Sequence, residues 1–589
     1  MCEGSALRRS ISGVSCRRLL RSVIFAIVLM LATGTSLSTS AAALATPLGP
    51  WLPNPPIDVS TTGQDAGSPQ VAIGPDGTTT ITWIRSNGTN NIVQAATRAA
   101  NATTFSTPID VSTTGQDADS PQVATGPDGT TTITWRRFNG SNTIVQAAIR
   151  AANATNFSDP INLSATLQDA DSPQVATGPD GTTTITWYRW NGSKNIVQAA
   201  TRAANATTFS TPIDVSTTGQ DALSPQVATG PDGTTTITWW RSTGPNYLVQ
   251  AATRAANDTT FSTPIDVSTT GQDALSPQVA TGPDGTTTIT WQRYNGTHWI
   301  VQAATRAANA TTFSTPMDLS TTGQDAESPQ LATGPDGTTT ITWPRSNGSN
   351  TFVQAATRAA NATTFSTPID VSTTGQDAGS PQVATGPDGT TTITWTSSNG
   401  TNTIVQAATR AANATTFSTP INLSTTGQDA DRPQVATGPQ GATTITWSRS
   451  NGTNTIVQAV TTTFTPRTPT NIRWNTGKRT TNQPITGSFT ATLGVTYTIT
   501  ATSSTSRRLQ TRATRTVRGT CKVTTNKKTK KRTATCTIRL KKAGTWLIKI
   551  TPAQNGLAGT PATKTIKVRV ATKKTRTLHI HQRQILAQR

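Results

Sequence analysis

Residues 68–83 read Ser-Pro-Gln-Val-Ala-Ile-Gly-Pro-Asp-Gly-Thr-Thr-Thr-Ile-Thr-Trp, and close variants of this stretch recur along the chain. Its tryptophan returns at a constant interval of 52 residues, at positions 83, 135, 187, 239, 291, 343, 395 and 447. Self-similarity at a fixed period of this length indicates a repeat architecture, in which each repeat is one supersecondary unit. The sequence therefore predicts eight equivalent units within residues 46–464.

Each repeat contains four short extended segments. In the first repeat they are residues 70–73, 78–84, 92–98 and 109–112, with Gly-Pro-Asp-Gly after the first segment and Asn-Gly after the second. Turns of this composition connect antiparallel strands, and Thr-rich and Ala-rich strands suit a sheet that packs on both faces. Four such strands form one blade of a β-propeller. An open β-solenoid is the alternative, although solenoids usually have shorter coils.

The two ends of the repeat region predict how the array closes. A segment of the fourth-strand type, residues 56–60, precedes the first repeat, and the last repeat stops after its third strand at residues 457–460. Pairing these segments would complete the last blade and remove the exposed edges of an open array. The predicted fold is all-β: an eight-bladed β-propeller of 52-residue repeats, closed by the N-terminal strand.

The elements Pro-Gln-Val-Ala, Gly-Pro-Asp-Gly, Ile-Thr-Trp and Val-Gln-Ala-Ala-Thr-Arg resemble bacterial secreted β-propeller repeat proteins that are loosely related to sialidase-like and BNR-like propellers. This resemblance covers about residues 55–460. It implies the propeller fold. The usual Asp-box places Asp-x-Gly close before its Trp, whereas here Asp76 and Gly77 are adjacent and Trp83 follows six residues after Gly77. The resemblance therefore does not imply sialidase activity.

Residues 1–45 have the pattern of a secretory signal peptide. Five arginines precede the apolar run 23–31, and a small-residue stretch ends in Ala43-Leu-Ala45. This order is typical of a cleaved signal, and the run is shorter than the roughly 20 residues that span a bilayer. We expect a secreted or cell-surface protein with no transmembrane span after cleavage. An uncleaved anchor is the alternative.

The charges divide the chain into two parts. Residues 46–464 hold 17 basic and 27 acidic residues, a net charge of −10, whereas residues 465–589 hold 27 basic residues and no acidic one. Strand-like runs over residues 465–572 predict a basic β-sandwich that resembles the Ig-like domains of bacterial surface proteins. Residues 573–589 are predicted to be a basic disordered tail. This part of the chain would attract an anionic cell-wall polymer or extracellular polyanion, although a solvated surface is the alternative.

The cysteines predict one disulfide. Cys2 and Cys16 belong to the signal, so the mature chain keeps Cys521 and Cys536. An even number of cysteines in an oxidising compartment favours pairing. The pair flanks residues 526–532, which carry five positive charges, so the bond would join the two strands of a basic hairpin.

The repeats are poorly suited to catalysis, because an active site needs residues in unequal roles at one place. His298 is the single histidine of the repeat region, and the sequence has no zinc-ligand spacing, phosphate-binding loop or nucleophile elbow. The sequence therefore predicts a protein that is not an enzyme, with no catalytic residue, no metal and no cofactor.

A comparison of the eight repeats separates constant positions from variable ones. The variable positions lie one and three residues after the Trp, at the second turn, and just before the first strand. Since successive strands alternate in direction, these positions are expected on one rim of the propeller. Aromatic and polar residues concentrate there in the second to fifth repeats: Phe138, Tyr188, Trp190, Trp240, Tyr247, Tyr294, His298 and Trp299.

Exposed Tyr and Trp beside Asn, Asp and Gln are typical of surfaces that bind sugars or proteins. The sequence therefore predicts a binding or adhesion protein whose ligand, a glycan or a surface protein, contacts these eight residues. Neutral drift at tolerant loop tips is one alternative, and packing of Tyr188 and Trp240 into a gap between blades is another. A sialidase-like glycan-processing enzyme and a structural spacer are the others.

Overall fold

The structure is a computed structural model. It describes residues 51–462, except 101 and 413, and residues 472–475, 479–480, 484–490, 496–503, 516–525, 532–540, 544–554, 557–558 and 562–569. The predicted signal peptide, the hairpin tip 526–531 and the basic tail lie outside the described residues. All elements found in the described part are β-strands. None of its segments is a helix with the length and apolar character needed to cross a membrane.

Each repeat forms one four-stranded antiparallel sheet, and we number these sheets 1 to 8 along the chain and their strands from first to fourth. The first strands are Ala66–Ile73, Ala118–Thr125, Ala170–Thr177, Ala222–Thr229, Ala274–Thr281, Gln330–Thr333, Ala378–Thr385 and Ala430–Thr437. The second strands are Thr79–Ser86, Thr131–Phe138, Thr183–Trp190, Thr235–Ser242, Thr287–Tyr294, Thr339–Ser346, Thr391–Ser398 and Thr443–Ser450.

The third strands are Asn91–Arg98, Thr143–Arg150, Asn195–Arg202, Tyr247–Arg254, Trp299–Arg306, Thr351–Arg358, Thr403–Arg410 and Thr455–Thr462. The fourth strands are short: Ile109–Asp110, Ile161–Asn162, Ile213–Asp214, Ile265–Asp266, Met317–Asp318, Ile369–Asp370 and Ile421–Asn422. In sheet 8 the longer strand Trp51–Asp58 takes this place. The strand order of these sheets is that of propeller blades.

Predicted bounds differ from the structure in all four strands, by one or two residues in the second and third. The first strand begins at Ala66 rather than at Gln70, because a β-bulge at residues 67–70 lets the strand continue past Ser68. Ser68 has φ 52°, in the left-handed region, which bulges accommodate. The fourth strand ends at Asp110 rather than at Ser112, since the amides of Val111 and Ser112 both turn to the carbonyl of Val93, at 2.8 and 3.3 Å.

Sheet 8 takes its strands from both ends of the repeat region. Trp51–Asp58 pairs antiparallel with Thr455–Thr462, with Ile57 opposite Ala459 and Asp58 opposite Gln458. The predicted pairing of the leading segment with the strand that contains Val457 is therefore present. The first strand of sheet 1 also contacts the first three strands of sheet 8, as it contacts the first strand of sheet 2.

The hydrophobic core lies between neighbouring sheets. Trp239 of sheet 4 packs with Val197 and Ala199 of sheet 3, and equivalent clusters recur at the other junctions. All eight repeated tryptophans are fully buried. The second-strand threonines are buried as well, and Thr82 donates to the carbonyl of Gln94 at 2.8 Å, so that its hydroxyl is paired. Both faces of each sheet are thus packed, as the Thr-rich composition predicts.

An aspartate in the loop before each first strand joins neighbouring sheets on the side of the Asn-Gly hairpins. Asp117 of sheet 2 accepts from the amide of Asn91 in sheet 1 at 2.8 Å. Asp65 of sheet 1 accepts in the same way from the amide of Thr455 in sheet 8, also at 2.8 Å. The same bond recurs at Asp169, Asp221, Asp273, Asp325, Asp377 and Asp429. These loops and hairpins therefore share one rim.

The C-terminal part consists of two sheets that share one core. The first contains Arg473–Trp474, Pro484–Thr490, Arg532–Arg539 and Thr520–Thr525, and the second contains Arg479–Thr480, Ala562–Arg569, Gly544–Gln554, Thr496–Ser503, Thr516–Arg518 and Leu557–Ala558. Ile485 and Ile538 of the first sheet pack with Ile499 and Ile548 of the second. Cys521 and Cys536 are cross-strand partners, and the predicted disulfide joins them.

Candidate functional site

The hairpin between the second and third strands carries the main difference between repeats. Its last strand pair is Phe138 and Thr143 in sheet 2, Trp190 and Asn195 in sheet 3, Ser242 and Tyr247 in sheet 4, and Tyr294 and Trp299 in sheet 5. In sheets 1, 6, 7 and 8 the same pair is Ser with Asn or Thr. We call Phe138, Trp190, Tyr247, Tyr294 and Trp299 the aromatic arc. It occupies four consecutive sheets.

Four of the five side chains of the aromatic arc are exposed, and Trp299 is half-buried. Phe138 is 45% exposed, Trp190 41%, Tyr247 37% and Tyr294 36%, whereas Trp187, three residues before Trp190, is fully buried. In sheet 5 the rings of Tyr294 and Trp299 lie 5.4 Å apart in a tilted arrangement. The strand alternation that separates Trp190 from Trp187 is therefore also what exposes it.

The hairpins beneath the arc are held by side chains of their own turns. In sheet 3, Asn191 Oδ1 accepts from the amides of Ser193 and Lys194, at 3.0 and 2.8 Å. Gly192 between them has φ 101°, a conformation that favours glycine. In sheet 5 the amide of His298 donates to Asn295 Oδ1 at 2.8 Å, and His298 is half-buried. The rings of the arc therefore project from hairpin turns that are ordered by their own hydrogen bonds.

A carboxylate flanks each hairpin of the arc. The amides of Thr143, Asn195, Tyr247 and Trp299 donate to Asp169, Asp221, Asp273 and Asp325, respectively, at 2.8 to 3.0 Å. At Asp221 burial raises the pKa of the carboxyl, but hydrogen bonds from Asn195 and Lys194 outweigh it and hold the pKa below its ordinary value. The hairpin of sheet 3 therefore has an ionised oxygen acceptor beside it at neutral pH.

Tyr188 and Trp240 lie deeper than the arc. Both are half-buried, and Trp240 donates from Nε1 to the hydroxyl of Ser224 at 3.2 Å while contacting the ring of Tyr247 edge-on at 4.9 Å. Burial and the charge of Asp171 raise the pKa of Tyr188. The structure thus divides the eight predicted binding residues into four exposed arc residues, the half-buried Trp299 and His298 at the same hairpin, and two inner side chains.

The inner variable positions form contacts at the sheet junctions. Asp119 and Arg136 are cross-strand partners, as are Asp171 and Tyr188. Arg136 binds Asp119 within sheet 2 and reaches Asp171 of sheet 3 at 2.6 Å, and these hydrogen bonds raise the pKa of Arg136. Variation at these positions therefore changes how neighbouring sheets join, which sequence comparison does not distinguish from variation at a binding surface.

Leu167 is an exposed residue that the sequence analysis missed. It is 86% exposed, the largest value among the exposed large hydrophobic residues. It replaces the glycine found in the same loop at positions 63, 115, 219, 271, 323, 375 and 427. The carbonyl of the preceding Thr166 accepts from Asn139 Nδ2 at 2.8 Å, which ties this loop to the hairpin next to Phe138. The departure from the repeat glycine is the sequence feature that could have identified it.

The opposite ends of the first strands surround a cavity of about 350 Å³. Its lining comes from the Gly-Pro turns and the adjacent threonines of sheets 2 to 5, such as Thr177, Pro179 and Thr229. These positions are alike in successive repeats, so they offer no residues in unequal roles. Within the described residues, no group of three or more His, Cys, Asp or Glu side chains is placed to hold a metal ion.

No protein-family model matches this sequence, and no curated protein matches it either. Solved structures do resemble its fold. A polysaccharide lyase is 10% identical, with 67% of this chain and 89% of that chain covered and a TM-score of 0.38. The NanB sialidase from Streptococcus pneumoniae is 9% identical, with coverages of 70% and 98% and a TM-score of 0.34. An α-L-arabinanase of Penicillium chrysogenum, solved with arabinobiose, is 12% identical, with coverages of 53% and 99% and a TM-score of 0.34.

These comparisons correct one prediction. The sequence analysis expected a protein that is not an enzyme, whereas the similar structures include a lyase, a sialidase and an arabinanase. The equivalence of the repeats is therefore no ground for excluding catalysis, since one fold can host many unrelated functions. At these identities and TM-scores the similarities assign no activity or substrate to this chain.

Proposed function

We propose that this protein binds a glycan through the aromatic arc of sheets 2 to 5. The observation that supports the proposal is the grouping of exposed rings at one register of four consecutive sheets, where the other four sheets have serine and a small polar partner. Aromatic rings offer an apolar face to the C–H surface of a sugar at low entropic cost, because they have few rotatable bonds. The flanking carboxylates can accept hydrogen bonds from sugar hydroxyls.

A glycan suits this surface better than a protein partner does. Protein hot spots cluster at the centre of a patch from which water is excluded. Here the rings are distributed over four sheets, with only Tyr294 and Trp299 on the same one, and half-buried carboxylates such as Asp221 and Asp273 lie at the hairpins. Rings set apart and flanked by acceptors match the alternation of apolar faces and hydroxyl groups along a sugar chain.

The proposal is tested by exchanging arc residues for those of the other repeats. Trp190→Ser and Trp299→Thr give sheets 3 and 5 the residues that sheet 6 has at this register, Ser346 and Thr351. We expect the double variant to lose glycan binding on an array by about tenfold or more, since each ring contributes about 1 kcal/mol. The thermal midpoint should change little, because both side chains project from ordered turns.

Ser346→Ala with Thr351→Ala is the matched control, which should retain both binding and stability. A large loss of stability in the Trp190→Ser and Trp299→Thr variant, with unchanged binding, would assign the two rings to packing. Retention of an unidentified protein instead of a glycan would also contradict the proposal.

Glycan cleavage is the second candidate function. The observation that favours it is the cluster of Arg136, Asp119, Asp171 and Tyr188, where unlike side chains from two sheets meet. Each glycan bound on the array is therefore incubated with the protein and assayed for new reducing ends. Turnover that is lost in Asp171→Asn but kept in the arc variant would support cleavage at the cluster, separate from binding at the arc.

We also propose that sheets 1 to 8 are the blades of one closed propeller within residues 46–464. The pairing of Trp51–Asp58 with Thr455–Thr462 and the bond from Thr455 to Asp65 support this. The two-sheet core of the C-terminal part supports an Ig-like sandwich within residues 465–572. Its basic composition supports contact with an anionic polymer, and the N-terminal pattern supports secretion or display at the cell surface.

A further inference from the structure

We infer that the arc binds an extended segment of an uncharged polysaccharide, with consecutive sheets contacting consecutive parts of one sugar chain. This inference rests on the proposed function and adds to it the class of ligand. It follows from three features of the described residues: the spacing of the rings, the exposed Leu167 between two of them, and the carboxylate beside each hairpin.

The strand ends that carry the rings are spaced more widely than one sugar. Packed sheets lie about 10 Å apart, so these strand ends on neighbouring sheets are separated by about that distance. Four sheets in succession therefore spread the arc over roughly 30 Å, the length of about six sugar units. A monosaccharide can contact the rings of one sheet at most. A chain can contact the rings of all four.

Leu167 is an exposed apolar residue in the loop that leads from sheet 2 to sheet 3. Its loop is tied to the sheet 2 hairpin through the bond from Asn139 to the carbonyl of Thr166, and it leads into the first strand of sheet 3. The repeat that departs from glycine at this position is thus one that also carries a ring. An apolar side chain there continues the surface from Phe138 to Trp190.

The charges along the arc disfavour an acidic sugar. Asp169, Asp273 and Asp325 each lie at an arc hairpin and bind its backbone amide, with no cationic side chain in the same hydrogen-bonded group. Two cations near the arc are themselves paired: Lys194 binds Asp221 at 3.1 Å, and Arg136, two residues before Phe138, binds Asp119 and Asp171. A uronate or sialate on the chain would meet these carboxylates, whereas neutral hydroxyl groups can donate to them.

The test measures binding as a function of chain length and charge. The full-length protein is applied to an array that carries neutral gluco-, xylo-, manno-, galacto- and arabino-oligosaccharides of one to eight units, together with oligogalacturonates and oligosialates of equal lengths. We expect affinity for one neutral series to increase until about six units. We expect the acidic series to bind at least tenfold more weakly.

Single exchanges locate the chain on the arc. Phe138→Ser, Trp190→Ser, Tyr247→Thr and Tyr294→Ser each introduce the residue or residue type of other repeats, and so does Leu167→Gly. We expect each to weaken binding of the longest neutral chain by about 3- to 10-fold and to leave binding of a disaccharide less affected. Ser346→Trp adds a ring to the neighbouring sheet 6 and should strengthen binding of chains longer than six units.

The outcomes separate the two proposals. Equal affinity for a monosaccharide and its polymer, or loss of binding through only one of the exchanges, would overturn the chain inference while glycan binding stands. Preference for the acidic series would overturn the charge argument. Binding of no glycan, neutral or acidic, would overturn the proposed function itself.

Discussion

The six junctions that join sheets 1 to 7 can be compared with the two that join sheet 8 to its neighbours. In each of the six, the charge of an aspartate in the preceding sheet acts on a third-strand arginine. For example, burial lowers the pKa of Arg306, and the charge of Asp232 opposes that effect. The pairs are Arg150 with Asp76, Arg202 with Asp128, Arg254 with Asp180, Arg306 with Asp232, Arg358 with Asp284, and Arg410 with Asp336.

Sheet 8 departs from this pattern on both sides. Thr462 occupies the arginine position of its third strand, and Gln440 occupies the aspartate position of its first turn. Arg98 of sheet 1 therefore faces sheet 8 without an aspartate at that position, and burial lowers the pKa of Arg98 with no opposing charge. Its guanidinium donates instead to the hydroxyl of Thr461 at 2.8 Å.

The comparison shows which junction contacts the repeats need. The aspartate-to-amide bond is present at all eight junctions, whereas the arginine–aspartate attraction is absent where the chain ends meet. The first bond satisfies a backbone donor, which is obligatory, while the second acts on a buried arginine from an exposed aspartate, whose charge the solvent screens. Sheet 8 is therefore held by backbone pairing with Trp51–Asp58 more than by charge.

The largest expected effect comes from removing that pairing. Deletion of residues 46–62 leaves Thr455–Thr462 as an unpaired edge and removes the fourth strand of sheet 8. We expect loss of the cooperative thermal transition and concentration-dependent association, because exposed edges pair between molecules. Light scattering and calorimetry measure both. A synthetic peptide of residues 46–62 should restore the transition, and a deletion variant that melts like the intact protein would contradict the role assigned to this strand.

An arginine exchange at the two kinds of junction should give an intermediate effect. Arg306 and Arg98 both stack on a phenylalanine, Phe313 and Phe105, at 5.3 Å, so Met keeps the apolar stem of either side chain. Arg306→Met removes a cation that has an aspartate nearby, and we expect a loss of about 1–2 kcal/mol. The free energy of unfolding should fall by about 1 kcal/mol less in Arg98→Met, because this exchange also removes a partly buried guanidinium that has no aspartate opposite it. Equal shifts of the two thermal midpoints would argue against any difference between the junctions.

The smallest effect is expected from giving sheet 8 the missing charge. Gln440→Asp restores the residue type of the other first turns opposite Arg98, and we expect a gain of about 0.5 kcal/mol at low salt. The gain should disappear at high salt, since exposed pairs are screened. Gln440→Asn serves as the control with no charge. A gain that persists at high salt, or one that Asn also produces, would rule out the electrostatic explanation.

The repeat pattern predicted much of this structure because it is a local property. The interval between Trp83 and its seven equivalents gave the number of sheets, and the Gly-Pro-Asp-Gly and Asn-Gly turns gave the strand order within each. The strand bounds were less accurate. The bulge at Ser68 and the two hydrogen bonds that the Val93 carbonyl accepts depend on how the strands pair. Turn composition does not show this pairing.

The binding residues were predicted as one group, and the structure separates them. Alternation along the second strand places Tyr188 and Trp190 on the same face, so sequence alone treats them alike. Their exposure differs because Tyr188 lies two residues further into the sheet, beside Asp171 of its own sheet and Arg136 of the preceding one, while Trp190 ends its strand. Leu167 was missed because it lies in a loop outside the variable positions that the sequence analysis compared.

The sequence by itself determined the repeat unit, its count and the strand segments, because period, turn residues and side-chain alternation act over a few residues. The tertiary structure decided which variable side chains reach solvent and which join two sheets. Arg136 and Asp171 are 35 positions apart, and Thr455 and Asp65 are 390 apart. Contacts over such separations depend on how whole sheets pack, so no short stretch of sequence encodes them.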